Sequence, residues 1–264
     1  MKNNPYRPVA ARISSISMET PIEFTIRVQG QFAITPGQFF QVSLPRIGEA
    51  PISVSSYGKD FVEFTIRAVG RLTNILQELK AGQNLFIRGP YGQGFARENF
   101  QDRDLLIVAG GSGLAPVRPL IQQAINGKLD NRSLKLIVGF KNSAGILFSS
   151  QIEEWQKMCD VCLTIDQPES GWNGNTGLVT EHIRKLEIAD MKNLQAVVVG
   201  PGPMMKFSTA ELRLLGLPEQ QIWVSFERLM SCGIGKCGHC KIDSTYVCVD
   251  GPVFNFSQAA TLID

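Results

Sequence analysis

Leu105-Leu-Ile-Val-Ala-Gly-Gly-Ser-Gly-Leu-Ala-Pro116 decides the fold. Its first five residues form an unbroken apolar run, the pattern of a parallel strand covered on both faces. Three glycines and a serine follow, and then an apolar segment over residues 117–125 that reads as a helix. A glycine-rich turn between strand and helix brings backbone N–H groups and the positive end of the helix to one point, where a diphosphate's charge is met. The turn lacks the G-x-G-x-x-G spacing, so its weight comes from repetition. Residues 134–140 and 196–199 are two more apolar strands, the second running into Gly200-Pro-Gly-Pro-Met204, and helices are expected over residues 149–158 and 180–186. Strands alternating with helices predict a doubly wound sheet that binds ligands at the carboxyl ends of its strands, where both glycine turns would lie.

Upstream of this stretch the texture differs. Glu23-Phe-Thr-Ile-Arg-Val28, Phe39-Phe-Gln-Val-Ser-Leu44, Phe61-Val-Glu-Phe-Thr-Ile-Arg67 and Asn84-Leu-Phe-Ile-Arg88 alternate with period two and are separated by Gly and Pro turns. That spacing predicts an antiparallel barrel or sandwich. One helix is expected over residues 74–80, with Thr73 as its N-cap and Gly82 beyond its end.

Downstream lies Cys232-Gly-Ile-Gly-Lys-Cys237-Gly-His-Cys240, with Cys248 after a gap of seven residues. The C-x4-C-x2-C opening with a later fourth cysteine matches the plant-type [2Fe-2S] spacing. Gly233, Gly235 and Gly238 permit the positive φ values of a loop that points its N–H groups at sulfur. A structural zinc site is the other reading of four thiolates, although zinc more often takes two short Cys knuckles and only one C-x2-C is present here. His239 is expected to stay outside the ligand set, at most hydrogen-bonding near it. Cys159 and Cys162 form a second C-x2-C with no further pair, and they read as ordinary thiols on opposite faces of a strand over residues 161–165. His182 reads as a surface residue of a helix.

The bulk properties exclude more than they assert. A chain of 264 residues predicts two or three domains. With 44% hydrophobic and 19% charged residues and a formal net charge of +2, nothing points to nucleic acid or an acidic membrane surface as partner. Met1-Lys-Asn-Asn-Pro-Tyr-Arg-Pro8 has no apolar core of a signal peptide, and no run approaches ~20 apolar residues, so no membrane insertion and a cytoplasmic location are expected. Four clustered cysteines out of six suit a reducing compartment.

Several pieces resemble the ferredoxin reductase superfamily. In the first third they are Pro36-Gly-Gln-Phe39, Pro51-Ile-Ser-Val-Ser55, Arg67-Ala-Val-Gly-Arg-Leu-Thr73 and Gly89-Pro-Tyr-Gly-Gln-Gly-Phe95, which are similar to its FAD domain. The resemblance implies FAD along Pro51, Ser53 and Val54, with Arg67, Gly70, Leu72 and Thr73 toward the diphosphate. Where the family has R-x-Y-S this chain has Ala50-Pro-Ile52-Ser53, so the arginine on the diphosphate is missing and Arg67 or Arg71 is expected to replace it. G-G-[ST]-G-x-A-P and V-G-P-x-x-M, in order, resemble the superfamily's NAD(P) domain and imply that Gly110, Gly111, Ser112, Gly113, Pro116, Gly200, Pro201 and Met204 line the dinucleotide site. Glu227, shortly before the cysteines, is placed near the flavin, and Lys141 is the cation available for a 2′-phosphate.

The implied architecture is ferredoxin-reductase-like. An FAD-binding β-barrel domain spans 1–98, an NAD(P)-binding α/β domain 99–225, and a [2Fe-2S] module 226–264. That order resembles the electron-transfer subunits of dihydroorotate dehydrogenase, sulfhydrogenase (its gamma subunit) and anaerobic sulfite reductase. NAD(P)H would deliver a hydride to FAD, and single electrons would leave through the cluster to the catalytic and iron-sulfur subunits of a heteromeric complex. A hydride carries its own hydrogen, so no catalytic acid or base is expected. Gln38-Phe-Phe-Gln-Val-Ser-Leu-Pro45, Gln221-Ile-Trp-Val224, Gly235-Lys-Cys-Gly-His-Cys240 and Tyr246-Val-Cys-Val-Asp-Gly-Pro-Val-Phe-Asn255 are nearest to the sulfite reductase branch. The sulfhydrogenase branch is the alternative, and a redox sensor that keeps the fold without binding nucleotide is the alternative of another class. The open side of the cluster loop is where a partner is expected to dock.

Overall fold

The computed structural model describes residues 4–262. Two compact units emerge: Met1–Gly94 with Phe226–Val253, and Phe95–Ser225 with Phe254–Asp264. The segment expected as a third module is thus divided, its cysteine loop grouping with the barrel and its last residues with the α/β unit.

Period-two alternation builds the first unit. β1 (Val9–Met18), β2 (Glu23–Gln29), β3 (Phe39–Leu44), β4 (Gly48–Tyr57), β5 (Phe61–Arg67) and β6 (Asn84–Tyr91) close into a barrel in the order β1-β2-β5-β4-β3-β6. β6 returns to β1 with Ile87 opposite Val9, so no edge remains. Apolar residues from alternate positions fill the interior, and Phe40 sits at its centre with rings edge-on at 5.1 Å (Phe32) and 5.5 Å (Phe64).

α1 (Arg71–Glu78) adds Leu72 and Leu76 to this core. Thr73 is not its N-cap. Gly70 holds that position, and the Thr73 hydroxyl in the first turn accepts from the backbone N–H groups of Val69 and Gly70, each at 3.0 Å. The helix therefore starts earlier than the polar residue suggested, because the side chain can satisfy the N-cap backbone from inside the turn.

The second unit has the doubly wound order. In sequence come β7 (Asp104–Gly110), α2 (Leu114–Ile125), β8 (Ser133–Phe140), α3 (Ser149–Trp155), β9 (Asp160–Ile165), β10 (Asn175–Thr176), α4 (Val179–Arg184), β11 (Leu194–Val199), α5 (Gly202–Leu214) and β12 (Ile222–Ser225). The cysteine region then contributes a two-stranded hairpin, β13 (Lys241–Ile242) and β14 (Thr245–Tyr246), and the short α6 (Val247–Asp250). β15 (Val253–Asn255) and α7 (Phe256–Ala259) follow.

The large sheet runs β10-β9-β8-β7-β11-β12-β15, and its pairs from β10 to β12 are parallel. β8 lies on one side of β7 and β11 on the other, so the winding reverses beside β7, and an open α/β sheet binds its ligands at such a reversal. β11 is buried along its whole length, as its unbroken apolar run requires.

Two smaller expectations meet the structure here. His182 is half-buried rather than on the surface: its Nε2 lies 3.1 Å from Thr164 Oγ1 and 3.2 Å from the Thr176 carbonyl, so it ties α4 to β9 and β10. Cys159 and Cys162 are half-buried, and burial pushes the Cys159 thiol up to about 11 and the Cys162 thiol upward as well. Thiols held protonated in this way are poor nucleophiles. Among the described residues no helix is long and apolar enough to cross a membrane.

Phe40→Ala removes the ring on which two others pack and is expected to destabilise the barrel unit by about 3–5 kcal/mol. Urea denaturation followed by far-UV circular dichroism checks this, and an unchanged midpoint would contradict the packing described.

Candidate functional site

In the α/β unit, β7 ends at Gly110 and the chain passes through one tight helical turn, Gly111–Gly113, into α2. Gly111 has φ +53°, a left-handed conformation that glycine adopts without penalty. Ala109 of β7 stands opposite Val199 of β11, so the turns that leave these strands are neighbours. A Cβ on Gly113 would lie 2.5 Å from the Val199 carbonyl oxygen and 2.7 Å from Gly200 Cα, and one on Gly110 would collide with Met204 Sδ.

Gly110, Gly113 and Gly200 are therefore glycines because the two turns interlock. Pro116 is buried in the first turn of α2, where a missing N–H costs nothing. Gly111 and Ser112 are half-buried and Pro201 is exposed, so these three form the outer surface of the paired turns. A cradle that any side chain would fill, at the winding reversal and at a helix start, fits a dinucleotide diphosphate. Beyond β8, Lys141 is exposed, and the Glu169 carboxylate accepts from the Ser143 N–H at 3.1 Å. Hydrogen bonds from the Ser143 hydroxyl and backbone hold that carboxyl below its ordinary range.

In the barrel, Pro51 faces Gln41 of β3, while β4 pairs with β5 only from Val54 onward. Pro51 thus stands where β4 has one neighbour, which is where a strand tolerates a residue without N–H. The same gap leaves the Pro51–Ile52–Ser53 backbone open on that side. Ser53 is half-buried and its hydroxyl makes no hydrogen bond among the described residues, whereas Val54 is buried in the core. An unengaged hydroxyl on an open strand edge fits a flavin ring edge.

Of the two arginines expected at the diphosphate, Arg67 is engaged: its Nε donates to Glu23 at 2.7 Å. Arg71, the first residue of α1, is exposed and has no ion pair among the described residues, so it is the cation left available beside Gly70 and Thr73.

The cysteine loop belongs to the same unit as the barrel. Gly233, Gly235 and Gly238 have φ of +75°, +70° and +80°. These turns aim the N–H groups of Ile234, Lys236 and Cys237 at Cys232 Sγ over 3.5, 3.2 and 3.4 Å, and that of Gly235 at Cys248 Sγ over 3.2 Å. Cys232, Cys240 and Cys248 are buried and Cys237 is exposed. The Cys237 thiol is drawn down to about 7, first by the His239 backbone N–H, while burial pushes Cys248 up to about 12.

Cys232 acts on Cys237, and both Cys240 and Cys232 act on Cys248, so the four thiols belong to one neighbourhood. Four thiols in one loop with backbone N–H groups aimed at sulfur suit an iron-sulfur cluster. The His239 and Glu227 side chains are exposed.

Two residues that the sequence reading passed over hold this loop. Gln41 of β3 and Arg88 of β6 are cross-strand partners. Gln41 is fully buried and its Nε2 donates to the Met230 carbonyl at 2.9 Å. Arg88, also buried, donates to the Ser231 carbonyl at 2.6 Å, to the Cys232 carbonyl, and to both oxygens of Glu49. The Glu49 carboxylate holds the Arg88 guanidinium well above its ordinary range. The only signal in the sequence was a Gln and an Arg at positions that alternate with the core residues Phe40, Val42 and Ile87, and so on the outer face of the barrel.

A flavin-type barrel joined to a doubly wound nucleotide unit, with a four-cysteine loop grouped on the barrel, defines a ferredoxin-reductase-like oxidoreductase module. Residues 107–210 match the oxidoreductase NAD-binding domain, and residues 227–259 match the iron-sulfur cluster binding domain of dihydroorotate dehydrogenase B. Sulfhydrogenase 2 subunit gamma of Pyrococcus furiosus is 35% identical, with 97% of each chain covered. The probable dihydroorotate dehydrogenase B (NAD(+)) electron transfer subunit of Methanocaldococcus jannaschii is 34% identical, with 94% of this chain and 90% of that one covered. The structure of an NADH-dependent reduced ferredoxin-NADP oxidoreductase superposes with a TM-score of 0.79 at 23% identity, over 97% of this chain and 90% of that one, which supports the fold. The chain belongs to the family of sulfhydrogenase gamma and dihydroorotate dehydrogenase B electron-transfer subunits.

Gly113→Ala must push backbone rather than a flexible side chain and is expected to cost the α/β unit about 1–3 kcal/mol. Gly111→Ala places a side chain at a left-handed φ of +53° on the outer surface of the turns and is expected to weaken NAD(P)H binding. Calorimetric midpoints and NAD(P)H titration separate the two; unchanged NAD(P)H affinity in both variants would remove this turn as the nucleotide site, and no NAD(P)H binding by the unaltered protein would favour a sensor that binds no nucleotide.

Proposed function

We propose that this chain is the electron-transfer subunit of a heteromeric redox complex and carries electrons from NAD(P)H through FAD and a [2Fe-2S] cluster to a catalytic partner. FAD when bound supplies the exchange between two-electron hydride chemistry and single electrons, and the cluster supplies the one-electron path outward. The residues of this chain bind and orient. N–H groups of Gly111 and Ser112 at the start of α2 hold the dinucleotide diphosphate, with Pro201 and Met204 bordering the same cradle. Ser53 offers its hydroxyl to the flavin ring edge, and Arg71 with the N-terminal turn of α1 neutralises the flavin diphosphate in place of the arginine absent at Ala50.

Cys232, Cys237, Cys240 and Cys248 hold the iron. No side chain has to move a proton, since the hydride brings its own. The observation that carries this reading is the four-cysteine loop, whose turns aim four backbone N–H groups at the sulfurs of Cys232 and Cys248.

For the partner, the relation to sulfhydrogenase gamma along nearly the whole chain favours a hydrogenase-type catalytic subunit. The phrases ending in Val224, Cys240 and Asn255 keep a sulfite reductase as the second reading. Exposed Cys237, between exposed Lys236 and His239, marks the side of the loop where that partner docks. Four clustered cysteines suit a reducing compartment, which supports a cytoplasmic complex.

Anaerobically purified protein is expected to contain FAD and about two irons per chain, and NADH or NADPH is expected to bleach the flavin band. Absence of flavin, or no bleaching by either nucleotide, overturns the proposal. Copurification of a nickel subunit selects the hydrogenase partner, and a sirohaem subunit selects the other.

A further inference from the structure

Three consecutive carbonyls, those of Met230, Ser231 and Cys232, lead into the first cluster cysteine, and each is held by a side chain of the barrel. Arg88 is the centre of this attachment. Its five N–H donors have five acceptors: two oxygens of Glu49, the Tyr91 hydroxyl at 3.4 Å, and the carbonyls of Ser231 and Cys232. Gln41, its cross-strand partner, donates to Met230 while its own Oε1 remains buried with no partner. Turning that amide over would set two oxygens face to face, so the orientation is dictated by Met230. Leaving a buried acceptor unpaired is costly, a sacrifice that marks the carbonyl it secures as one that must not move. Tyr91 closes the same corner: a Cβ on Gly233 would lie 2.9 Å from its ring.

The charges in this corner are unequal in their surroundings. The Arg88 side chain is 6% exposed and Glu49 is 29% exposed. Water therefore screens the carboxylate more than the guanidinium, and the guanidinium is also the group in contact with the backbone of Cys232. A net positive field reaches the sulfur of the first ligand. One-electron reduction of a cluster adds one negative charge there, so such a field favours the reduced form, in the same sense as N–H groups aimed at the sulfurs.

We infer that Arg88 and Glu49 set the reduction potential of the cluster as a charge pair of opposed signs, with Arg88 also positioning the loop. This rests on the proposed function, because it needs the four cysteines to hold the cluster. Arg88 touches neither iron nor sulfur in this role and is a positioning residue. Its charge raises the potential, Glu49 lowers it, and Gln41 acts by geometry alone.

The test uses the full chain, reduced stepwise and followed by the electron paramagnetic resonance of the reduced cluster. Arg88→Gln is expected to shift the midpoint to more negative potential and Glu49→Gln to more positive potential. Arg88→Lys, which keeps the charge without the fork, is expected to restore most of the potential but to broaden the signal. A purely structural attachment would lower iron content or thermal midpoint without opposite shifts, so shifts of the same sign, or none, overturn the inference. If Arg88→Gln fails to fold, Glu49→Gln decides alone: a positive shift supports the inference and no shift overturns it. Wild-type protein without a [2Fe-2S] signal would instead overturn the proposed function.

Discussion

A sulfur taken out of water keeps a negative charge only where hydrogen-bond donors converge on it, and this constraint organises the barrel unit. The donors are backbone N–H groups, so the chain between Cys232 and Cys240 must turn left-handed three times, at Gly233, Gly235 and Gly238. Such a loop has little side-chain packing of its own. The segment that enters it is instead secured by the barrel, where Arg88 and Gln41 hold three successive carbonyls of residues 230–232. The barrel acts as a foundation whose outer-face polar residues Gln41 and Arg88 are already committed to another segment. That is why residues 226–253, distant in sequence, form one compact unit with residues 1–94.

The α/β unit meets a different constraint with the same means. At the winding reversal beside β7, two strands end side by side and both chains must turn at once. Gly110, Gly113 and Gly200 let the turns interlock, with Met204 filling the space that a Cβ would have taken. Close packing of the turns leaves backbone at the surface of Gly111 and Ser112. In both units, glycine frees backbone donors: at the surface of the nucleotide-type turn in one case and toward cysteine sulfur in the other.

Legibility followed the range of the forces involved. Period-two alternation exposed four barrel strands, because one face of each must be buried, but it missed β1, and β4 was seen only as a motif because Pro51 interrupts its pattern. Mainly apolar runs exposed β7, β8 and β11, whose C-terminal halves are buried. Thr73 was misjudged because a threonine can serve a helix start from two positions, and the choice depends on what Leu72 and Leu76 bury. His182 was read as a surface residue because its partners, Thr164 and Thr176, come from two other strands. Arg67 and Arg71 were indistinguishable until Glu23, across the strand pair, engaged the first of them.

The sequence by itself determined whatever depends on spacing: the cysteine intervals, the left-handed glycines, the strand-turn-helix of the nucleotide turn, and the order of the modules. These are set by bonds along the chain and by the period of the elements. Only the tertiary structure decided which side chains share a register and which charges meet. Gln41 opposite Arg88, Arg88 against the carbonyl of Cys232, and Met204 against Gly110 join residues far apart in sequence, and barrel closure and sheet winding bring them together.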